Sequence, residues 1–190
     1  MPRRTTEFAV GEYYHVYNRG SRKQRIFFDR ENYLFFLRKV RKYIVPDVAN
    51  ITSWCLLPNH YHLLLKLTSA DFSKAMHRFS VSYSMALCKQ RELSGALFQG
   101  RFQAIHVDDE AYLLHLTRYI HWNPVDAGLA LRAEDWEFSS YRDYIGQRDG
   151  TLAQYEDILR EFESRSAYRN FVESRADYNS VQHLLIDDDC

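Results

Sequence analysis

Leu57-Pro58-Asn59-His60-Tyr61-His62-Leu63-Leu64-Leu65 is the stretch on which the fold turns. Pro58-Asn59 is a turn or bulge signal between two β-rich runs, near 49–57 and 60–68. Residues two apart in a strand point to the same face, so His60 and His62 present two imidazoles side by side. Paired imidazoles on a rigid element are the natural start of a metal site. The plainer alternative is a hydrogen-bonded pair on a half-exposed strand.

Working outward, Tyr13 to Arg19 is rich in aromatic and β-branched residues and ends at Gly20, which predicts a strand. A loop carrying Arg19, Arg22, Lys23 and Arg25 follows. Asp29 is a good N-cap for a helix of about 29–44, with Tyr33, Phe36, Leu37 and Val40 on its buried face and Pro46 beyond its end. After the two strands, Asp71 or Ser73 caps a helix of about 72–92, apolar at Phe72, Met76, Phe79, Val81, Tyr83 and Leu87. Leu97 to Val107 reads as a fourth strand interrupted at Gly100. Asp108-Asp109-Glu110 supplies the cap and acidic first turn of a third helix, about 109–122, which Pro124 stops.

Strand, helix, strand, strand, helix, strand, helix is the order of an α+β, ferredoxin-like split βαβ arrangement. It predicts an antiparallel sheet with helices on one face and the other face open for a ligand. Gly146 and Gly150 mark a boundary, so 1–145 form the main domain and 146–190 a C-terminal helical extension. That extension has Leu152, Tyr155, Leu159, Phe162, Tyr168, Phe171 and Val172 in short helices, and it ends in a solvated acidic tail at Asp187-Asp188-Asp189.

Composition narrows the function class. With 46% hydrophobic and 26% charged residues the chain reads as a soluble globular protein. No apolar run approaches membrane-span length and no signal-peptide core follows the N-terminus, so the expected location is cytoplasmic. Cys55, Cys88 and Cys190 are too few and scattered for a zinc cluster or a disulfide frame. The net charge of zero hides an asymmetry. Residues 1–66 carry twelve Lys/Arg against five Asp/Glu, whereas 146–190 carry five against ten. A basic N-terminal part with an acidic end fits binding to a polyanion. Aromatic residues, 15% of the chain, also suit stacking on unpaired bases, although Met76, Phe79 and Tyr83 read as core.

The third helix adds a second half to a site. Tyr119 and Asn123 are four apart and share a helix face, with His115 one turn back. A tyrosine beside a polar ligand-type residue can serve as a nucleophile; a core tyrosine is the ordinary alternative.

Four motifs occur in order: Pro58-Asn59-His60-Tyr61-His62-Leu63-Leu64, Leu97-Phe98-Gln99-Gly100-Arg101-Phe102, Arg118 to Leu129, and Trp136-Glu137-Phe138-Ser139-Ser140-Tyr141. Together they resemble the REP-associated tyrosine transposases, a branch of the single-tyrosine HUH transposases, from about residue 10 to 145. The resemblance implies that His60 and His62 bind a divalent ion, that Tyr119 is the nucleophile, and that Asn123 is a third ligand. His115 and His121 are local competitors for that last role. It implies Mg2+ or Mn2+, although imidazole donors by affinity favour zinc, manganese or nickel.

The implied reaction is cutting and rejoining of single-stranded or hairpin DNA through a 5′-phosphotyrosine. Arg19, Arg22, Lys23 and Arg25 suit phosphates, and Gln99 or Arg101 suits backbone or base. A non-cleaving, domesticated regulator of chromosomal repeats is the alternative. The branch favours a monomer over a homodimer, nucleoid-associated when on DNA.

Overall fold

The computed structural model describes residues 6–174. Cys190 and the acidic Asp187-Asp188-Asp189 end lie outside the described residues.

Four strands, β1 (Tyr13–Arg19), β2 (Ala49–Leu57), β3 (His60–Leu67) and β4 (Gln103–Val107), form one sheet in the order β2-β3-β1-β4. Every neighbouring pair is antiparallel. Leu57 opposite His60 closes the β2–β3 hairpin on Pro58-Asn59, as the sequence predicts. The first helix, α1 (Arg30–Tyr43), is capped by the Asp29 carboxylate, which accepts from Asn32 N at 2.9 Å. The second, α2 (Phe72–Arg91), begins at Asp71, whose side chain makes no cap bond. Both lie on one face, where Phe36 and Phe79 pack with Tyr61, Leu63 and Leu65. Each such fully buried side chain contributes about 1.5–3 kcal/mol of burial energy. The ferredoxin-like frame is the one expected.

Four expectations need correction. The opposite face is not open. The third helix, α3 (Glu110–Asp126), packs on it, joining Leu116, Tyr119 and Ile120 to Cys55, Leu57 and Leu64. Nor does Pro124 end this helix. The helix continues two residues past it, without the bond that an amide at 124 would make to Ile120 O. The stop comes at Gly128, with φ +66°, where Gly128 N donates to Val125 O and Leu129 N to Pro124 O. That is a Schellman cap, which requires the left-handed conformation glycine adopts without strain. Third, 97–102 form no continuous strand: a single antiparallel bridge, Phe98 opposite Gly20, ties them to the end of β1, through Ser21 N to Leu97 O at 2.8 Å and Gln99 N to Arg19 O at 2.9 Å. Val81, expected in the core, is 41% exposed.

The region past Asp126 folds back as α4 (Tyr141–Tyr144), α5 (Glu156–Leu159) and α6 (Arg165–Glu173). Tyr141, Tyr144, Ile158, Tyr168 and Val172 form its own core, against which Leu113, Leu114 and Trp122 of α3 pack. The third helix is thus covered on both sides. Among the described residues, no helix is long and apolar enough to cross a membrane.

Candidate active site

The alternation of β3 sends Tyr61, Leu63 and Leu65 into the α1–α2 core and leaves His60, His62 and Leu64 facing α3. Two strand residues i and i+2 are about 6.6–6.8 Å apart along the strand. Two helix residues i and i+4 are about 6.0 Å apart along the axis. The near match lets α3, running against β3, set one residue over each histidine. The Tyr119 ring stands edge-on to His62, centroids 5.5 Å apart at 86°, and the Asn123 amide lies against His60. His60 and His62 are themselves 5.0 Å apart and nearly perpendicular.

All four side chains are buried, none more than 3% exposed. Burial, then the Arg19 charge, pushes His60 down to about 4, against an opposing pull from Asn123. Burial drives His62 well below the ordinary imidazole range, helped by His60, His15 and Arg19. Both rings are therefore neutral at physiological pH, the form that binds a metal. His60 Nδ1 is tied to Asn59 Oδ1 at 2.6 Å, and His62 Nδ1 to His15 Nε2 at 2.9 Å. The outer nitrogens differ: His60 Nε2, His62 Nε2 and Asn123 Nδ2 make no hydrogen bond. Buried polar atoms left in that state cost about 1–3 kcal/mol each, which marks a place built for something else.

The donor set is two imidazoles and an amide. Among the described residues, no three His, Cys, Asp or Glu side chains are grouped to hold an ion. Two neutral imidazoles with inner nitrogens anchored and outer nitrogens unsatisfied fit a divalent ion that draws its remaining ligands from substrate and water.

The competing histidines are elsewhere. His115 packs against Phe171 of α6, and His121 is bonded through both nitrogens on the far side of α3. Sequence reasoning missed His15, which is fully buried on β1 and shares the face of Tyr13 and Tyr17. Its signal was the β1 alternation, which places it on the face of the sheet that carries His60 and His62.

The residues expected to meet DNA gather at the His60 end of β3. Arg19 is not a loop cation but the last residue of β1, directly opposite His60 and 6% exposed. Arg22, Lys23 and Arg25 are exposed on the turn that follows, and Gln99 and Arg101 are exposed on the neighbouring loop. Gly20 N donates to Asn59 O at 2.7 Å and Ile26 N to Pro58 O at 2.8 Å, tying the basic turn to the hairpin that carries His60. A Cβ at Gly20 would lie 2.0 Å from Gln24 O, so this tight approach admits only glycine.

The chain is similar to known proteins. A protein of Haemophilus influenzae that bears the name of a REP-associated tyrosine transposase is 29% identical over 98 residues, covering 46% of this chain and 56% of the relative. The chain thus spans little more than half the length of that curated relative. A solved structure described as a REP-associated tyrosine transposase bound to a REP hairpin superposes with a TM-score of 0.66 at 19% identity. The match covers 81% of this chain and 98% of that one, which shows a common fold. The profile of the family described as "Transposase IS200 like" matches residues 10–123, from just before β1 to the asparagine beside His60. With more than half of its length matched, this chain belongs to the IS200-like transposase family.

Proposed function

We propose that the protein is a DNA endonuclease and strand transferase of the REP-associated branch, acting on single-stranded DNA held in palindromic hairpins. The observation that carries this reading is Tyr119 standing 5.5 Å from His62, beside two buried imidazole nitrogens that no protein group satisfies.

Cutting begins when the Tyr119 oxygen attacks the scissile phosphorus. The bond from phosphorus to the 3′ oxygen breaks, that oxygen takes up a proton, and the phosphate remains on Tyr119 as a 5′-phosphotyrosine. Attack by a 3′-hydroxyl on this ester reverses the step, rejoining DNA and restoring the phenol. Because the ester conserves the bond energy, no cofactor hydrolysis is required. A free phenol, with a pKa near 10, is a weak nucleophile at neutral pH. Mg2+ or Mn2+ held by His60, His62 and Asn123 would neutralise charge on the non-bridging oxygens and orient the phosphate. Arg19 adds a fixed positive charge beside the same position. Arg22, Lys23 and Arg25, with Gln99 and Arg101, guide the backbone of the strand toward it. Strand β3 and helix α3 of a single chain can bring both halves of the site together. A DNA substrate of this kind places the protein in the cytoplasm with the chromosome.

The test is direct. A labelled repeat hairpin with a single-stranded flank, incubated with Mn2+ or Mg2+, becomes covalently attached to the protein. Tyr119→Phe binds the same DNA and forms no adduct. An adduct that survives in Tyr119→Phe would overturn the assignment. Metal-independent binding with no adduct in the unaltered protein would instead establish a non-cleaving regulator.

A further inference from the structure

We infer that the outer face of the α1–α2 pair is a second nucleic-acid surface, on the opposite side of the sheet from Tyr119, that takes the backbone phosphates of duplex DNA outside the reacting strand. That the polyanion is DNA rests on the function proposed above; the surface itself rests on charge and geometry.

The two helices together carry nine Lys/Arg and a single acidic residue, Glu31, in a chain whose net charge is zero. Most of their apolar residues are spent on the sheet, with Val81 and Met85 of α2 left exposed, and the cations face outward. Some are occupied. Arg30 pairs with Glu137, Arg91 pairs with Asp29, and Arg41 donates to Thr151. Arg38, Lys42, Lys74, Arg78 and Lys89 are exposed, and among the described residues no ion pair engages them. Such a concentration of like charge destabilises the fold by self-repulsion unless a polyanion offsets it.

The cations also converge. A groove of about 220 Å³ between the end of α1 and the start of α2 is lined by Lys42, Tyr43, Lys74 and Arg78, with Asp71 at its side. The Tyr43 phenol is held below its ordinary pKa by the Ser82 hydroxyl, then by Lys42, Lys39 and Arg78, which shows three cations acting on one point. Lys39 is fixed there by its bond to Ser82 at 2.8 Å and by the Phe35 ring at 4.9 Å. From Lys74 to Lys89 the α2 cations extend over about 22 Å. That length is far more than a point anion can span and suits an extended polyanion backbone. A point anion would need only the groove, whereas a duplex uses the whole row.

The experiment compares two DNAs in the full chain: a short single-stranded oligonucleotide spanning the cleavage position, and a hairpin extended by a long duplex. The variant is Lys42→Gln/Lys74→Gln/Arg78→Gln, with Lys42→Arg/Lys74→Arg/Arg78→Lys as the charge-retaining control. For the long DNA, the Gln variant should bind at least about tenfold more weakly, and its salt slope should fall by about 2–3, roughly 0.9 per lost phosphate contact. The control should keep both. Adduct yield on the short oligonucleotide at saturation should be unchanged. Unaltered affinity and slope on the long DNA would overturn the inference, and so would an equal loss on both DNAs. Loss of binding to anionic phosphatidylglycerol vesicles, with DNA binding unaffected, would overturn it in favour of a lipid surface. A failure of the Tyr119 reading would show separately, as absence of adduct on either DNA in the unaltered protein.

Discussion

The third helix carries buried histidine chemistry on both of its sides, and the two sides differ in what is left unsatisfied. Toward the extension, His121 is fully buried with Nδ1 2.6 Å from Tyr168 Oη and Nε2 2.7 Å from Ser140 Oγ. Tyr168 donating to Nδ1, and Nε2–H donating to Ser140, leaves the Ser140 hydroxyl free to donate to Trp54 O at 3.2 Å while accepting from Trp54 N at 2.9 Å. Every donor then has an acceptor. Toward the sheet, His60 and His62 anchor only their inner nitrogens, and both Nε2 atoms make no hydrogen bond. Burial is common to both sides of α3; what separates them is that His121 has both nitrogens bonded, whereas His60 and His62 each keep one nitrogen unsatisfied.

The largest effect that can break this comparison is on His62. His62→Ala should lower adduct formation at least about a thousandfold, the scale of losing a group that fixes transition-state charge. Its thermal stability should fall less than that of His121→Ala, because the substitution removes an unsatisfied polar atom along with the ring and strands one partner, His15 Nε2, rather than two. Mn2+ should raise the melting temperature of the unaltered protein and leave His62→Ala unmoved. A variant that simply unfolds would place His62 in the same class as His121.

His121→Ala should do the opposite. It strands Tyr168 and Ser140 in the interior and should cost about 3 kcal/mol in urea unfolding, while folded molecules still form adduct. Protonation sharpens the contrast. Burial, and then Arg148, hold His121 at about 3, far below its ordinary value near 6.5. The unfolded chain therefore binds a proton that the native state refuses. This group's stabilising effect is complete above about pH 6.5 and declines as pH falls toward 3, by about 1.4 kcal/mol per pH unit. Urea unfolding at pH 7, 5.5 and 4.5 should show His121→Gln losing one proton's worth of that slope. A variant with the full slope would mean that His121 is not the group held neutral.

A smaller effect is expected at His15. For His62 to offer Nε2 to an ion, its Nδ1 carries the proton and donates to His15 Nε2. His15→Phe keeps a ring of similar size and removes that acceptor. Mn2+ affinity, measured by calorimetry, should fall about 10- to 100-fold, as when an outer partner of a metal-binding histidine is removed. Unchanged affinity would show that the 2.9 Å contact orients nothing.

What the sequence made legible follows from where one physical signal dominates. Asp29 with the Tyr33, Phe36, Val40 spacing has one buried face and one solvent face, so α1 reads cleanly to within a residue at each end. Leu57 to His62 fixes the hairpin because a two-residue turn leaves one register. The helix α3 is different. Leu113, Leu114, Leu116, Ile120 and Trp122 surround it because it is covered by the sheet on one side and by the extension on the other. Its periodicity therefore names no single face, and nothing local says that it crosses to the far side of the sheet. His15 was illegible for a related reason: a lone histidine in a strand acquires meaning only through the register that sets it diagonally beside His62. The 97–102 segment pairs through one antiparallel bridge only, Phe98 with Gly20 at the end of β1, a long-range partner that no window of sequence contains.

The finest test of the comparison is Tyr168→Phe. Tyr168 lies within α6, and removal of its hydroxyl leaves the ring packing to Tyr144, at 4.8 Å, and to Phe162, at 5.1 Å, intact. Only the bond to His121 Nδ1 is lost, which should cost about 1 kcal/mol, or about 2–4 °C in melting temperature for a chain of this length. Below that melting temperature the adduct rate should be unchanged, since Tyr119 and Asn123 take their positions from the sheet face. A slower adduct at unchanged stability would mean that the Tyr168–His121 contact steers the nucleophile through α3. The two sides of the helix would then be one device, the extension setting the position of Tyr119 over His62, and the division between structural and reactive histidines would fail at its most closely bonded point.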